Sequence, residues 1–135
     1  MKIMICYDGS EGSHRALEQA VDYFKAQNPE IILVTVVELP LDSSLENEEV
    51  FERWKTARHD ELMDAAKWVT EHGLEADAML AVGDPRKMLL KAIEKKSPDL
   101  VVAGKRGRTV IDKMILGSVS AFLVRHSPCP ILVMT

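Results

Sequence analysis

Cysteine is scarce in this chain: Cys6 and Cys129 are the two among 135 residues. Two thiols make no disulfide framework, and neither has a neighbouring cysteine to form a zinc or redox motif. On parallel strands Cys6, late in the first, and Cys129, just before the last, are expected at opposite edges of a sheet, too far apart to bridge. Aromatic residues are 5% of the chain and the formal net charge is −4. Together these disfavour nucleic-acid binding, which calls for a basic footprint and stacking platforms. No apolar run approaches the ~20 residues of a membrane span. The N-terminus enters strand-like sequence at once rather than a leader, so a cytoplasmic protein is expected. The Walker pattern G-x4-G-K-[ST] is absent, as are repeats, linkers and low-complexity tracts.

What is present is ordinary for a single globular domain, 1–135: 47% apolar and 28% charged residues. A chain this long buries roughly two-thirds of its unfolded surface. Five strand signals alternate with four helix signals. Lys2 to Tyr7 is a short apolar run suited to a central strand, and Ile31 to Val37 is β-branched throughout. Ala76 to Val82 is weaker and reads as an edge; Leu100 to Ala103 and Ile131 to Met134 complete the set. The first helix repeats Ala16, Leu17, Ala20, Val21 and Phe24, capped by Ser10 or Ser13 and stopped by Asn28-Pro29. An acidic stretch, Asp42 to Glu49, reads as a solvated loop running into a long helix. Val50, Trp54, Ala57, Leu62, Ala65 and Val69 hold that helix's apolar face, and Gly73 is its left-handed cap. Asp84 caps a third helix with Pro85 in its first turn; Met88, Leu89, Ala92 and Ile93 form its buried face, and Ser97-Pro98 ends it. A fourth helix runs to His126. The order βαβαβαβαβ implies a three-layer α/β/α fold around a parallel sheet, Rossmann-like, with strand order 3-2-1-4-5.

Ligands of open α/β sheets sit beyond the carboxyl ends of the strands where the strand order reverses. Here that point lies between the first and fourth strands, so Asp8 and Gly104 converge. Gly104 opens the stretch GKRGRTVIDKMILGSVS, in which Gly107 and Gly117 also fall. Gly104 and Gly107 allow close backbone approach to phosphate. Gly117, Ser118, Val119 and Ser120 stand at a helix start, which offers free N–H donors and a partial positive charge. Arg106 and Arg108 add local charge in an acidic chain. Asp8 can accept from a ribose hydroxyl or approach a metal carried by the phosphates, and Val36 can line a base pocket. Taken alone, Gly104 and Gly107 are simply a turn, Asp8 an Asx-turn or cap, and Lys113 a solvated cation. His14 reads as an exposed helix residue, His126 as a helix-terminal cation, and Trp54 and Trp68 as packing or partner contacts.

The spacing G-x2-G-x9-G-S, the tail Arg125-His126-Ser127-Pro128-Cys129-Pro130-Ile131-Leu132-Val133 and the strand ending Tyr7-Asp8-Gly9-Ser10 resemble the universal stress protein family, over nearly the whole chain. The resemblance implies an adenine nucleotide alpha hydrolase-like fold and bound ATP, or AMP or ADP, with Mg or Mn carried by the phosphates and no metal site of the protein's own. It adds Cys6, Tyr7, Ala103 and Val110 as contacts. Cys6-Tyr7 stands where small residues or proline are common in the family, and Lys105-Arg106 fills a variable pair. The function implied is a stress-response sensor or regulator. Alternatives are a slow metal-assisted ATP hydrolase, for which Asp112 is the lone acid in the glycine loop, and a nucleotide-free dimeric interaction module. The last strand, Ile131, Leu132, Val133 and Met134, is expected at an uncovered edge, where antiparallel pairing gives a homodimer.

Overall fold

The computed structural model describes residues 1–39, 45–105 and 116–135, with the backbone alone for residues 45–47. In chain order the elements are β1 (Lys2–Cys6), α1 (Glu11–Phe24), a 3-10 turn (Lys25–Gln27), β2 (Glu30–Val37) and α2 (Leu45–Glu71). They continue with β3 (Glu75–Val82), α3 (Pro85–Lys96), β4 (Leu100–Gly104), α4 (Ser118–His126) and β5 (Ile131–Met134). The five strands form one sheet ordered β3-β2-β1-β4-β5, and every adjacent pair is parallel. The strand order and the three-layer architecture are those the sequence predicts. Among the described residues no helix is long and apolar enough to cross a membrane.

Alternation along the strands divides the core in two. Ile3 and Ile5 of β1, Ile31 and Leu33 of β2, and Val102 of β4 face one side, under α1 and the C-terminal half of α2. Met4, Ile32, Val34 and Val101 face the other, under α3 and α4. Successive strand side chains point to opposite faces, so strands covered on both sides must be apolar at every position. This explains the absence of apolar–polar alternation in β1 and β2. β1 is central: Ile5 lies level with Leu33 on one side and Val102 on the other.

The helices begin and end where their punctuation directs. The Ser10 hydroxyl accepts from the Ser13 amide and caps α1. Asn28 takes φ 50° after the 3-10 turn, and Gly73 takes φ 82° after α2. Asp84 caps α3 by accepting from the Arg86 amide, with Pro85 in the first turn. Three expectations need correction. Leu45 to Glu49 is helical rather than loop, because α2 begins at Leu45. Its apolar face is buried only at Leu62, Ala65 and Val69; Ala57 is exposed and Trp54 is 51% exposed. Cys6 lies on the central strand, not at a sheet edge. It and Cys129 pack against the same core cluster, although both are free thiols as expected.

Candidate functional site

Four strand ends and one helix start build the site. β1 delivers Tyr7 and Asp8. The Tyr7 amide donates to the Val34 carbonyl at 2.9 Å, and its carbonyl accepts from the buried Thr35 hydroxyl at 2.6 Å. The loop that follows is therefore tied to β2 by both backbone groups of one residue. Gly9 turns the chain with φ 77°, a region open to glycine at little cost. One Asp8 carboxylate oxygen accepts from the Ser10 amide at 2.9 Å, an Asx-turn that fixes the side chain at the strand end. His14 is half-buried one turn along α1, its Nδ1 3.4 Å from the Tyr7 hydroxyl and its Nε2 2.9 Å from Glu18.

On the other side of the reversal point, β4 ends at Ala103 and Gly104. Ile5 is level with Val102, so continuing that register sets Tyr7 beside Gly104. The chain returns at Gly117, whose amide donates to the Lys105 carbonyl at 2.7 Å. The Ser120 hydroxyl reaches the same carbonyl at 3.0 Å and the Gly117 carbonyl at 3.1 Å. Lys105 in turn donates its amide to Met134 of β5 at 2.7 Å. The start of α4 is thus latched to the end of β4, the juxtaposition that the glycine spacing requires. The N-cap of α4 is Gly117, which has no side chain to accept from the first-turn amides as Asp84 does for α3. A helix start without a side-chain cap is a ready acceptor of an anion.

A cleft of about 450 Å³ opens at this level, lined by Glu38, Leu39, Gly83, Asp84, Pro85, Arg86, Ser118 and Val119. Val36 and Cys6 pack with Val119 against the core cluster on this face of the sheet. The structure therefore brings Ser118 and Val119 into the cleft wall, with Cys6 and Val36 in the cluster on its face. Tyr7, Asp8, Ala103 and Gly104 lie at the adjoining strand ends. Ser120 turns inward as a latch rather than toward a ligand. Arg106, Gly107, Arg108, Val110, Asp112 and Lys113 lie outside the described residues.

The wall that sequence reasoning missed is the β3–α3 loop. Gly83-Asp84-Pro85 reads fully as a helix start, which conceals its second role. The signal was the strand order itself, since β3 ends on the same rim as β2 and β1. Gly83 is held to glycine chiefly by its backbone. Its φ is 148°, and a Cβ there would stand 3.1 Å from Cγ of Met88. Its amide donates to the Val37 carbonyl at 3.0 Å, holding the loop against β2.

The electrostatics of the walls are uneven. Slight burial raises the Asp84 carboxyl, but the Arg86 amide, the Arg86 guanidinium and the charge of Lys87 outweigh it and hold it below its ordinary value. Burial pushes the Cys6 thiol up to about 12, with the negative charge of Asp8 adding. Cys6 therefore stays a neutral thiol near neutral pH rather than a nucleophile. Asp84 also gives a pH prediction. A carboxyl with a lowered folded value stabilises above its unfolded value and loses that contribution as pH falls through the folded one. In denaturant melts, the stability gap between the unaltered chain and Asp84→Asn, which retains a capping oxygen, is expected to close below about pH 3.8. A gap that persists unchanged to pH 2 would contradict it.

The family model of the universal stress proteins matches this chain over residues 1–135. The chain belongs to the universal stress protein family. A relative from Methanocaldococcus jannaschii, itself a universal stress protein, is 30% identical over 138 residues, covering 98% of this chain and 80% of its own. The fold is similar to that of UspA from Lactobacillus plantarum, with TM-score 0.85 at 19% identity over 100% of this chain and 97% of the other. It is also similar to an Arabidopsis thaliana member of the family solved with AMP bound. That comparison gives TM-score 0.74 at 23% identity, covering 99% of this chain and 90% of the other.

Proposed function

We propose that this universal stress protein binds an adenine nucleotide, ATP, in the cleft between α4 and the β2 and β3 ends, and acts as a cytoplasmic stress-response regulator. The observation that carries the reading is the start of α4. Its N-cap is a glycine, it is latched to β4, and its Ser118 and Val119 stand in the wall of a cleft of about 450 Å³. The bound AMP of the Arabidopsis relative supports the class of ligand. Charge sets its direction. On the far wall Glu38 repels phosphate and Arg86 is engaged by Asp84, whereas the α4 amides attract phosphate, so the phosphates lie at Gly117 to Val119. The base then lies toward Val36, Leu39 and Gly83, with Asp8 toward the ribose. Any Mg or Mn arrives with the phosphates. The protein pairs with a second copy through β5, the short edge strand Ile131–Met134.

Calorimetry with ATP, ADP and AMP tests the ligand. Affinity is expected to rise with the number of phosphates that the α4 start can reach. Ser118→Ala is expected to weaken ATP by about 1.5–3 kcal/mol, the worth of a hydrogen bond to a charged group. Heat-silent titrations with all three nucleotides would remove the reading.

A further inference from the structure

Thr35 breaks the pattern of its own strand. The internal positions of β2 are apolar from Ile31 to Val36 except at Thr35, which is 1% exposed. Valine has nearly the same volume and no polar group to bury, so packing alone does not call for the hydroxyl. Ser13 and Ser120, the other buried polar residues described, bond to carbonyls at the start of their own helices. Thr35 instead reaches across to another strand and donates to the Tyr7 carbonyl at 2.6 Å.

In a parallel ladder, a residue that donates to one carbonyl of the neighbouring strand accepts from the amide two residues further along it. The Tyr7 amide donates to the Val34 carbonyl at 2.9 Å, so the regular partner of the Tyr7 carbonyl is the Val36 amide. The ladder stops short of that bond. Its last pair is Cys6 with Val34, and the Thr35 hydroxyl takes the Tyr7 carbonyl in place of the Val36 amide. Backbone groups alternate between the two flanks of a strand. The Val37 carbonyl serves Gly83 on the β3 flank, so the Val36 amide lies on the β1 flank. Among the described residues that amide has no hydrogen-bond partner. Val36 is half-buried on the cleft face of the sheet, where an unpaired backbone donor is uncommon and costs free energy. We propose that Thr35 is a positioning residue for the nucleotide: by taking the Tyr7 carbonyl it holds the ends of β1 and β2 unzipped and keeps the Val36 amide open as a donor to a ring nitrogen of the base. The inference rests on the adenine-nucleotide reading of the cleft, in which the base lies toward Val36. Thr35 itself touches no ligand. It lies on the opposite face of the strand from Val36, with Leu33 under α1 and α2, and acts through the backbone.

Thr35→Val and Thr35→Ser test this, by calorimetry with ATP and by hydrogen exchange of the Val36 amide in the nucleotide-free chain. Without the hydroxyl, the Tyr7 carbonyl is expected to recruit the Val36 amide and lengthen the ladder by one bond. Thr35→Val is therefore expected to keep its denaturant midpoint and to slow exchange at Val36 by about 10-fold or more. It is expected to bind ATP about 10-fold more weakly, the worth of one hydrogen bond. Thr35→Ser keeps the hydroxyl and is expected to keep both the fast exchange and the ATP affinity of the unaltered chain. A merely structural threonine predicts the reverse for the valine variant: a lower midpoint, with affinity retained below the melting range. Exchange at Val36 equally slow in the unaltered chain and in Thr35→Val, or an unchanged ATP affinity in Thr35→Val, overturns the proposal while leaving the cleft reading in place. No binding of ATP by the unaltered chain removes the cleft reading, and this role with it.

Discussion

Gly117→Val is expected to abolish ATP binding in calorimetry while the chain remains folded. Gly117 has φ −59° and ψ 153°, an extended conformation that valine adopts freely, so the backbone does not forbid the change. Space does. The residue is buried, its amide donates to Lys105 and its carbonyl accepts from Ala121 and from the Ser120 hydroxyl. The isopropyl group of valine at this buried latch is expected to displace the α4 start from β4 and cover the amides beyond it. Overpacking costs about 1–3 kcal/mol of stability, which a domain of ordinary stability survives. Affinity is expected to fall by at least about 100-fold, equivalent to about 2.7 kcal/mol. An unchanged dissociation constant would mean that the nucleotide does not use this helix start.

The second large effect is on stability. Leu33→Ala is expected to cost about 3 kcal/mol, read as a shift in denaturant midpoint or a fall in melting temperature of roughly 10 °C. Leu33 is fully buried in the middle of β2, level with Ile5 of β1 and Ala78 of β3. It faces the cluster that α1 and α2 close. The same strand carries Thr35, which holds the Tyr7 carbonyl, and Val36. Loss of ATP affinity in this variant is expected only near its melting range, which separates a weakened scaffold from a damaged site. A midpoint within 1 kcal/mol of the unaltered chain would contradict the two-cluster account of the core, since buried Leu→Ala changes cost about 2–5 kcal/mol.

Strand order and most helix ends were legible because each has a local cause. Short, β-branched apolar runs without alternation suit strands covered on both faces, and Asn28, Gly73, Asp84-Pro85 and Ser97 punctuate by backbone rules that act within a few residues. Once β1 is central, the meeting of the Asp8 loop with the β4 end follows from topology. Three features were hidden for physical reasons. The N-terminal turns of α2 are rich in glutamate, which looks like solvated loop but also suits the positive end of a helix dipole. Periodicity shows which residues share a face, not where the neighbouring sheet stops, so Trp54 and Ala57 read as core beside Leu62. The β3–α3 loop had a complete explanation as a cap and a first-turn proline, so nothing in it called for a second role. The expected strand order already places β1 in the middle of the sheet, so the wide separation expected of the two thiols does not follow from it. The glycine at 107 and the cations around it lie outside the described residues, so their part in phosphate binding stands as the sequence proposes it.

The measurement that reaches the centre of this account is an amide-resolved nuclear magnetic resonance titration of the intact chain with ATP. Saturable shifts are expected at Asp8, Gly83, Gly117, Ser118 and Val119, on loops that approach one another only in the folded sheet, while β3's outer edge and the far end of α1 stay still. Shifts confined to other surfaces, or none at millimolar ATP, would contradict it.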